Sequence, residues 1–186
     1  MASSFSTDLK LELMVTGEKA GQWGDITNTN LNLLQQAIAG FQDISIAGGA
    51  QTTTLVMTDA AISNARNAVI KLSGTITGNQ IVTVPTGIEK TYIVENGTTG
   101  AFTVEFKQAG GTGPTFSTTD KGIKILYANG TNIIDVNSKL NTISLFTLPT
   151  ADGTSGQVIQ TNGSGALSFV TPLSTGKAIA MAIVFG

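Results

Sequence analysis

The chain has 186 residues, 41% of them hydrophobic and only 12% charged, with a formal net charge of −2, 22 glycines, no cysteine and no histidine. The missing residue types remove Ser-His and Cys-His pairs, thiolate metal sites, imidazole ligands and disulfides, while the low charge and abundant glycine favour a mainly β structural protein over an enzyme. Arg66 is the only arginine and the nine lysines are scattered from Lys10 to Lys177, so no basic stripe exists to displace phosphate counterions and nucleic acid is not an expected partner.

The first residues have neither a positive start nor an apolar run, so no secretory signal is expected. Leu9, Leu11 and Leu13 alternate with Lys10 and Glu12, the period-two pattern of a strand, which predicts an extended arm over residues 9–15. After the polar turn TGEKAGQWGD, Thr27 or Asn28 is positioned to cap a helix. Its apolar residues Leu31, Leu34 and Ile38 fall at i, i+3 and i+7, and Gly40 is its stop. Trp23, the only tryptophan, sits just ahead of that helix between Gly21 and Gly24. It reads either as a plug packing on Leu31 or Leu34, or as an anchor at a protein interface, where tryptophan is enriched.

From residue 43 to 136 the pattern changes to eight short strands: DISIA, TTTLVMT, AVIKLSG, QIVTVP, TYIVENG, AFTVEFK, GIKILYA and NIIDV. Asn96-Gly97 and Asn129-Gly130 separate strand pairs and supply the φ > 0 conformations of tight hairpins, so an antiparallel sandwich is expected. Residues 59–68, DAAISNARNA, have room for one helical turn. The glycines of QAGGTGP, 108–114, precede no helix and read as an ordinary loop rather than a phosphate cradle. Arg66 is either a buried partner of Asp59 or another carboxylate, or a solvated loop residue. The acidic residues form no paired-carboxylate motif and no calcium-loop spacing, so no catalytic residue, cofactor or metal ligand is assigned.

Beyond a hinge-like stretch, QVIQTNGSGALSFVTP predicts a hairpin around residues 162–165, which needs further packing to be stable. The closing run AIAMAIVF, 178–185, has no polar face. It is too short to span a membrane, which takes roughly 20 apolar residues, and reads as an apolar strand that a core or another subunit must cover. Three regions follow: an arm and helix over 1–42, a β-sandwich over 43–137, and a linker, β-hairpin and apolar C-terminal strand over 138–186.

Residues 17–41, GEKAGQWGDITNTNLNLLQQAIAGF, together with 53–85 and 90–107, resemble the N-terminal region of tail-fibre and related virion structural proteins of tailed bacteriophages, particularly those of marine bacteria, and LPTADGTSGQVIQTNGSGALSF at 148–169 is similar to a short module that recurs in such fibres. The distinctive element is Gly-x-x-x-Gly-x-Trp-Gly followed by a Thr/Asn-rich helix start. The resemblance implies a non-enzymatic, homotrimeric appendage made in the host cytoplasm and built into the virion, docked on the tail through its N-terminal region. The chain lacks the long repetitive shaft of such fibres, which leaves a short tail fibre, a fibre adaptor or a head-attached fibre or capsid decoration protein. A receptor- or carbohydrate-binding sandwich is the alternative, with a host surface molecule as partner. In the assembly reading the partner interface consists of Leu11 and Leu13 on the arm, Trp23, Leu31, Leu34 and Ile38 around the helix, and Ile179, Met181, Ile183 and Phe185 on the C-terminal strand.

Overall fold

Short runs of β-branched residues between glycine-rich turns make this chain mainly β. The computed structural model describes residues 3–137, 142–143, 146–172, 174, 179, 183 and 184. The chain divides into two units, Met1–Asn137 and Ser138–Gly186.

The first unit opens with a small hairpin, β1 (Ser4–Phe5) paired antiparallel with β2 (Glu12–Leu13), and continues into helix α1 (Trp23–Ala39). Six strands then alternate between two sheets. β3 (Phe41–Ser45), β5 (Val69–Ser73) and β7 (Glu89–Asn96) lie side by side in one; β4 (Gln51–Thr54), β6 (Gln80–Val84) and β8 (Val104–Gln108) do so in the other. Every one of these neighbouring pairs is parallel and in register: Phe41 beside Val69 beside Ile93, and Gln51 beside Gln80 beside Val104. The chain therefore winds as a coil of three turns, each laying one strand on each sheet, and parallel bridges Gly48–Ile76 and Thr75–Thr99 stack the corners between them.

Within the two sheets of the coil, antiparallel pairing enters only after the third turn. β9 (Thr115–Phe116) folds back on β8, β10 (Ile123–Asn129) runs against β7, and β11 (Ile133–Asp135) closes that edge as a hairpin with β10. The two-sheet, mainly β layout is the expected one; the direction of its central ladders is a correction. Asn129-Gly130 forms the expected hairpin, with Gly130 at φ 88°. Asn96-Gly97 does not, because the strands it joins belong to different sheets. There the Asn96 carboxamide turns the corner, accepting from the Thr98 N–H and hydroxyl and donating to Asp120 O.

Alternation puts one face of each strand inside the coil. Ile70, Leu72, Val82, Val84, Tyr92, Val94, Val104, Phe106, Phe116 and Leu126 form a single buried cluster between the sheets. Tyr92 and Phe106 meet across it edge to face, centroids 5.7 Å apart. The outward faces carry Asp43, Lys71 and Glu95 in one ladder, with Lys71 Nζ 3.3 Å from the Glu95 carboxylate. The glycine-rich loop 108–114 serves packing: a Cβ on Gly113 would lie 2.0 Å from Phe106 O, so only glycine lets the two backbones approach.

In the second unit, β12 (Thr142–Ile143) pairs with β13 (Phe146–Thr147), and β14 (Val158–Thr161) with β15 (Leu167–Val170). The latter is the expected hairpin; Gly163 and Gly165 adopt φ 78° and 85° in its turn. The apolar C-terminal strand is a correction: the described residues of that run, Ile179, Ile183 and Val184, are helical. Ile179 and Ile183 stand at i and i+4, a spacing that serves a helix face as well as an apolar run serves a strand.

Candidate functional site

The site begins at the junction between α1 and the coil. α1 starts at Trp23, four residues before the expected cap at Thr27, because Gly21 in the left-handed region turns the chain into the helix and the Ile26 N–H finds Gln22 O; Gln22 caps without a side-chain bond. Asp25 in the first turn complements the positive end of the helix dipole. The expected stop at Gly40 is where the helix ends. The Gly40 N–H bonds to Gln36 O while its own carbonyl accepts from Val69 N, so helix becomes sheet within one residue. A Cβ there would lie 2.2 Å from Gln36 O.

The inner side of α1 is fixed by polar groups more than by apolar ones. Leu33 is its one fully buried residue. The Asn30 carboxamide accepts from Glu12 N at 3.0 Å and donates to Glu12 O at 2.9 Å, completing both backbone groups of that residue as a strand partner would. Gln36 Oε1 accepts from Ser63 N and from Arg66 Nη1, both at 3.4 Å.

Arg66 is the centre of this anchorage, buried as one of the two expectations had it, with Asp59 near enough to act on its charge but not in direct contact. It sits on the helical turn Asn64–Arg66, which falls inside the stretch where one was expected, and is 0% exposed. No carboxylate among the described residues lies within ion-pair distance of it; its guanidinium instead donates to backbone carbonyls, Nε to Leu9 O at 3.0 Å, Nη2 to Thr58 O at 2.7 Å and Nη1 to Ala61 O. The planar fork thus ties the N-terminal segment to the loop between β4 and β5. Ala60 N adds a bond to Lys10 O at 2.8 Å, with both residues in the left-handed region, and Asp8 Oδ1 accepts from Glu89 N at 2.9 Å. The segment expected as an extended arm bearing the partner-interface residue Leu11 is bound to its own chain, with Leu11 half-buried within it.

Lys90 completes the lock, donating to Asn67 O at 3.0 Å and to Arg66 O, with its ammonium 4.5 Å from the Tyr92 ring centroid. Burial, with the Arg66 charge beside it, lowers the Lys90 amine from its ordinary 10.5 to about 8. Between those values the unfolded chain holds a proton that the folded chain has released, so raising the pH favours the fold. Above about 10, the ordinary tyrosine value, the trend reverses, because burial pushes the Tyr92 hydroxyl up and the unfolded chain ionises first. The thermal midpoint is expected to rise from pH 8 to 10 and fall beyond it, and calorimetry of Lys90→Met should show no rise over that window.

The outer side of α1 is apolar and uncovered by its own unit. Trp23 is 65%, Leu31 57% and Ile38 77% exposed, while Leu34 is half-buried. Trp23 is therefore no plug on Leu31 or Leu34. With the exposed Leu13 and with Met14 and Val15 it lines a groove of about 460 Å³. The structure brings Leu13 and Trp23 together at one end of the stripe that Leu31, Leu34 and Ile38 continue. Ile179 and Ile183 are exposed in the second unit; Met181 and Phe185 lie outside the described residues. Sequence reasoning missed Asn30, Gln36 and Lys90, whose signal was weak: amides on an amphipathic helix and a lysine on a strand read as solvent-facing.

No helix among the described residues is long and apolar enough to cross a membrane, and no group of three acidic, histidine or cysteine side chains gathers there at metal-binding distance. No family model, curated protein or solved structure matches the chain. The fold and site define a class by their own geometry: a three-turn β-coil carrying a locked helix whose apolar stripe faces outward.

Proposed function

We propose that the chain is a non-enzymatic structural subunit of a tailed-phage virion, a short tail fibre or fibre adaptor that assembles as a homotrimer and docks through its N-terminal region. The observation that carries this reading is the stripe Trp23, Leu31 and Ile38, large apolar side chains left in solvent on a helix whose other side is bonded to Glu12 of β2 and to Ser63 and Arg66 of the loop between β4 and β5. Fully covering one such side chain is worth roughly 1.5–3 kcal/mol before ordering costs, so leaving three exposed favours a partner surface over a monomer. The exposed Ile179 and Ile183 of the second unit give a further surface of the same kind. The resemblance to tail-fibre N-terminal regions supplies the virion and the threefold number. A glycan-binding reading would need exposed aromatic platforms, and Tyr92 is not one, since it lies buried beneath Lys90.

Gold-labelled antibody against the chain, applied to purified virions and viewed by electron microscopy, is expected to mark the tail or its fibres. Label confined to the capsid would move the assignment to a head fibre or decoration protein. Particles with no label would remove the virion reading.

A further inference from the structure

Three Asn-Gly pairs occur in the chain, at Asn96, Asn129 and Asn162, and each asparagine folds its side chain back over its own turn. In every case Oδ1 accepts from the N–H two residues on: Thr98 N at 3.3 Å, Thr131 N at 3.1 Å and Ser164 N at 2.8 Å. That fold carries the carboxamide carbon towards the next peptide nitrogen, the two atoms that join when a cyclic imide closes, and glycine puts no side chain in the way.

The surroundings of the three pairs differ. At Asn162 a second donor, Ala166 N at 3.0 Å, joins Ser164 N on Oδ1, so two N–H groups stand where negative charge gathers as the ring closes. The Gly163 N–H donates to the Thr161 hydroxyl at 3.1 Å, which draws the proton away from the attacking nitrogen. Thr161, Asn162 and Gly163 are exposed, and Asn162 Nδ2 has no partner among the described residues, so the amide nitrogen can leave into water. Asn96 is the reverse: it is fully buried, its Nδ2 donates to Asp120 O at 2.9 Å, and Gly97 N is committed to Leu72 O at 2.8 Å. Asn129 also has two donors on Oδ1, Thr131 N and Asn132 N. Its turn is pinned, however, because the Gly130 carbonyl accepts from Gly87 N at 2.7 Å and from the Thr86 hydroxyl at 3.0 Å.

We propose that Asn162 is a self-modifying site. Gly163 N attacks Asn162 Cγ, the Cγ–N bond forms, the Cγ–Nδ2 bond breaks, and ammonia leaves with the proton that Gly163 N gives up. Water then opens the ring at either of its carbonyls, yielding aspartate or isoaspartate, so amide and water become acid and ammonia. Both products add a negative charge to the turn, and isoaspartate also lengthens the main chain by a methylene where Asn162 N pairs with Ala166 O. The proposal does not depend on the assembly reading above.

Incubation of the full chain at neutral pH, followed by digestion and mass spectrometry, reads ammonia loss at all three asparagines in one sample. In the folded chain Asn162 is expected to convert on the order of tenfold faster than Asn129 or Asn96, since donors preset around a developing charge act only where the turn is intact and free to close. In urea the three rates should converge, because each asparagine then has the same glycine neighbour and no turn. Thr161→Val should slow Asn162 several-fold in the folded chain but not in urea, and Thr161→Ser should restore the rate. Equal rates at Asn162 and Asn129 in the folded chain, or a spread that persists in urea, overturns the proposal. An unchanged rate in folded Thr161→Val overturns the part given to the hydroxyl.

Discussion

Replacing Arg66 by methionine should destabilise the first unit by about 2–4 kcal/mol, because several partly buried backbone carbonyls lose one charged donor together. Methionine fills much of the volume but donates nothing, so Leu9 O, Thr58 O and Ala61 O lose their shared donor at once. A hydrogen bond from a charged donor is worth about 1.5–3 kcal/mol; Ala61 O keeps the Ser63 hydroxyl, while Leu9 O and Thr58 O lose the Arg66 donor that joins the two segments. Arg66→Lys should recover little, since a single ammonium cannot span three carbonyls set around a planar fork. Urea titration gives the total loss, and hydrogen exchange gives its location. The N-terminal segment and α1 should lose protection first, because the Arg66 fork and the Gln36 carboxamide hold both to the same loop. A loss under about 1 kcal/mol, the scale of an ordinary surface contact, would show that the lock carries no weight.

Phe106→Ala is the second large effect, expected at about 3–5 kcal/mol for a phenylalanine removed from a packed core. Phe106 is fully buried, follows Val82 in the parallel ladder and meets Tyr92 edge to face. Sheets joined by ladders cannot easily close over the cavity, since moving one strand drags its hydrogen-bonded neighbours. Against a typical domain stability of about 5–15 kcal/mol this is a large fraction, and the urea midpoint should fall with the slope unchanged. The two variants separate two levels of the structure: Phe106→Ala weakens the coil itself, whereas Arg66→Met weakens what fastens the helix to it.

Much of the architecture was legible in local patterns. Alternating Val, Ile and Leu marked the strands, Gly40 marked the end of α1, and Asn129-Gly130 and residues 162–165 marked true hairpins. Strand direction was not legible that way. An Asn-Gly pair specifies a tight turn but not whether the chain returns to the same sheet, and at Asn96 the side chain uses its turn-forming capacity to move from one sheet to the other. The turns of the coil also differ in length, Val69 standing 28 residues after its neighbour Phe41 and Ile93 only 24 after Val69, so no fixed period announced the winding.

The candidate site was half legible for a different reason. Apolar spacing picked out Leu31, Leu34 and Ile38, but spacing alone does not say which stripe faces home, and the coil took Leu33 instead. The stripe that periodicity selected is the one left in solvent. The arm failed because its alternating leucines said nothing of the backbone carbonyls that Arg66 and Ala60 would claim from Leu9 and Lys10. Long-range polar bonds of this kind leave no periodic trace in a sequence.

The central proposal is that this chain works as a homotrimeric subunit whose exposed apolar helix face meets a partner surface. Sedimentation equilibrium of the purified full chain measures it most directly. The expected mass is three times the 19.1 kDa of one chain, holding as the sample is diluted through the micromolar range. A single species of 19.1 kDa at every concentration would contradict it.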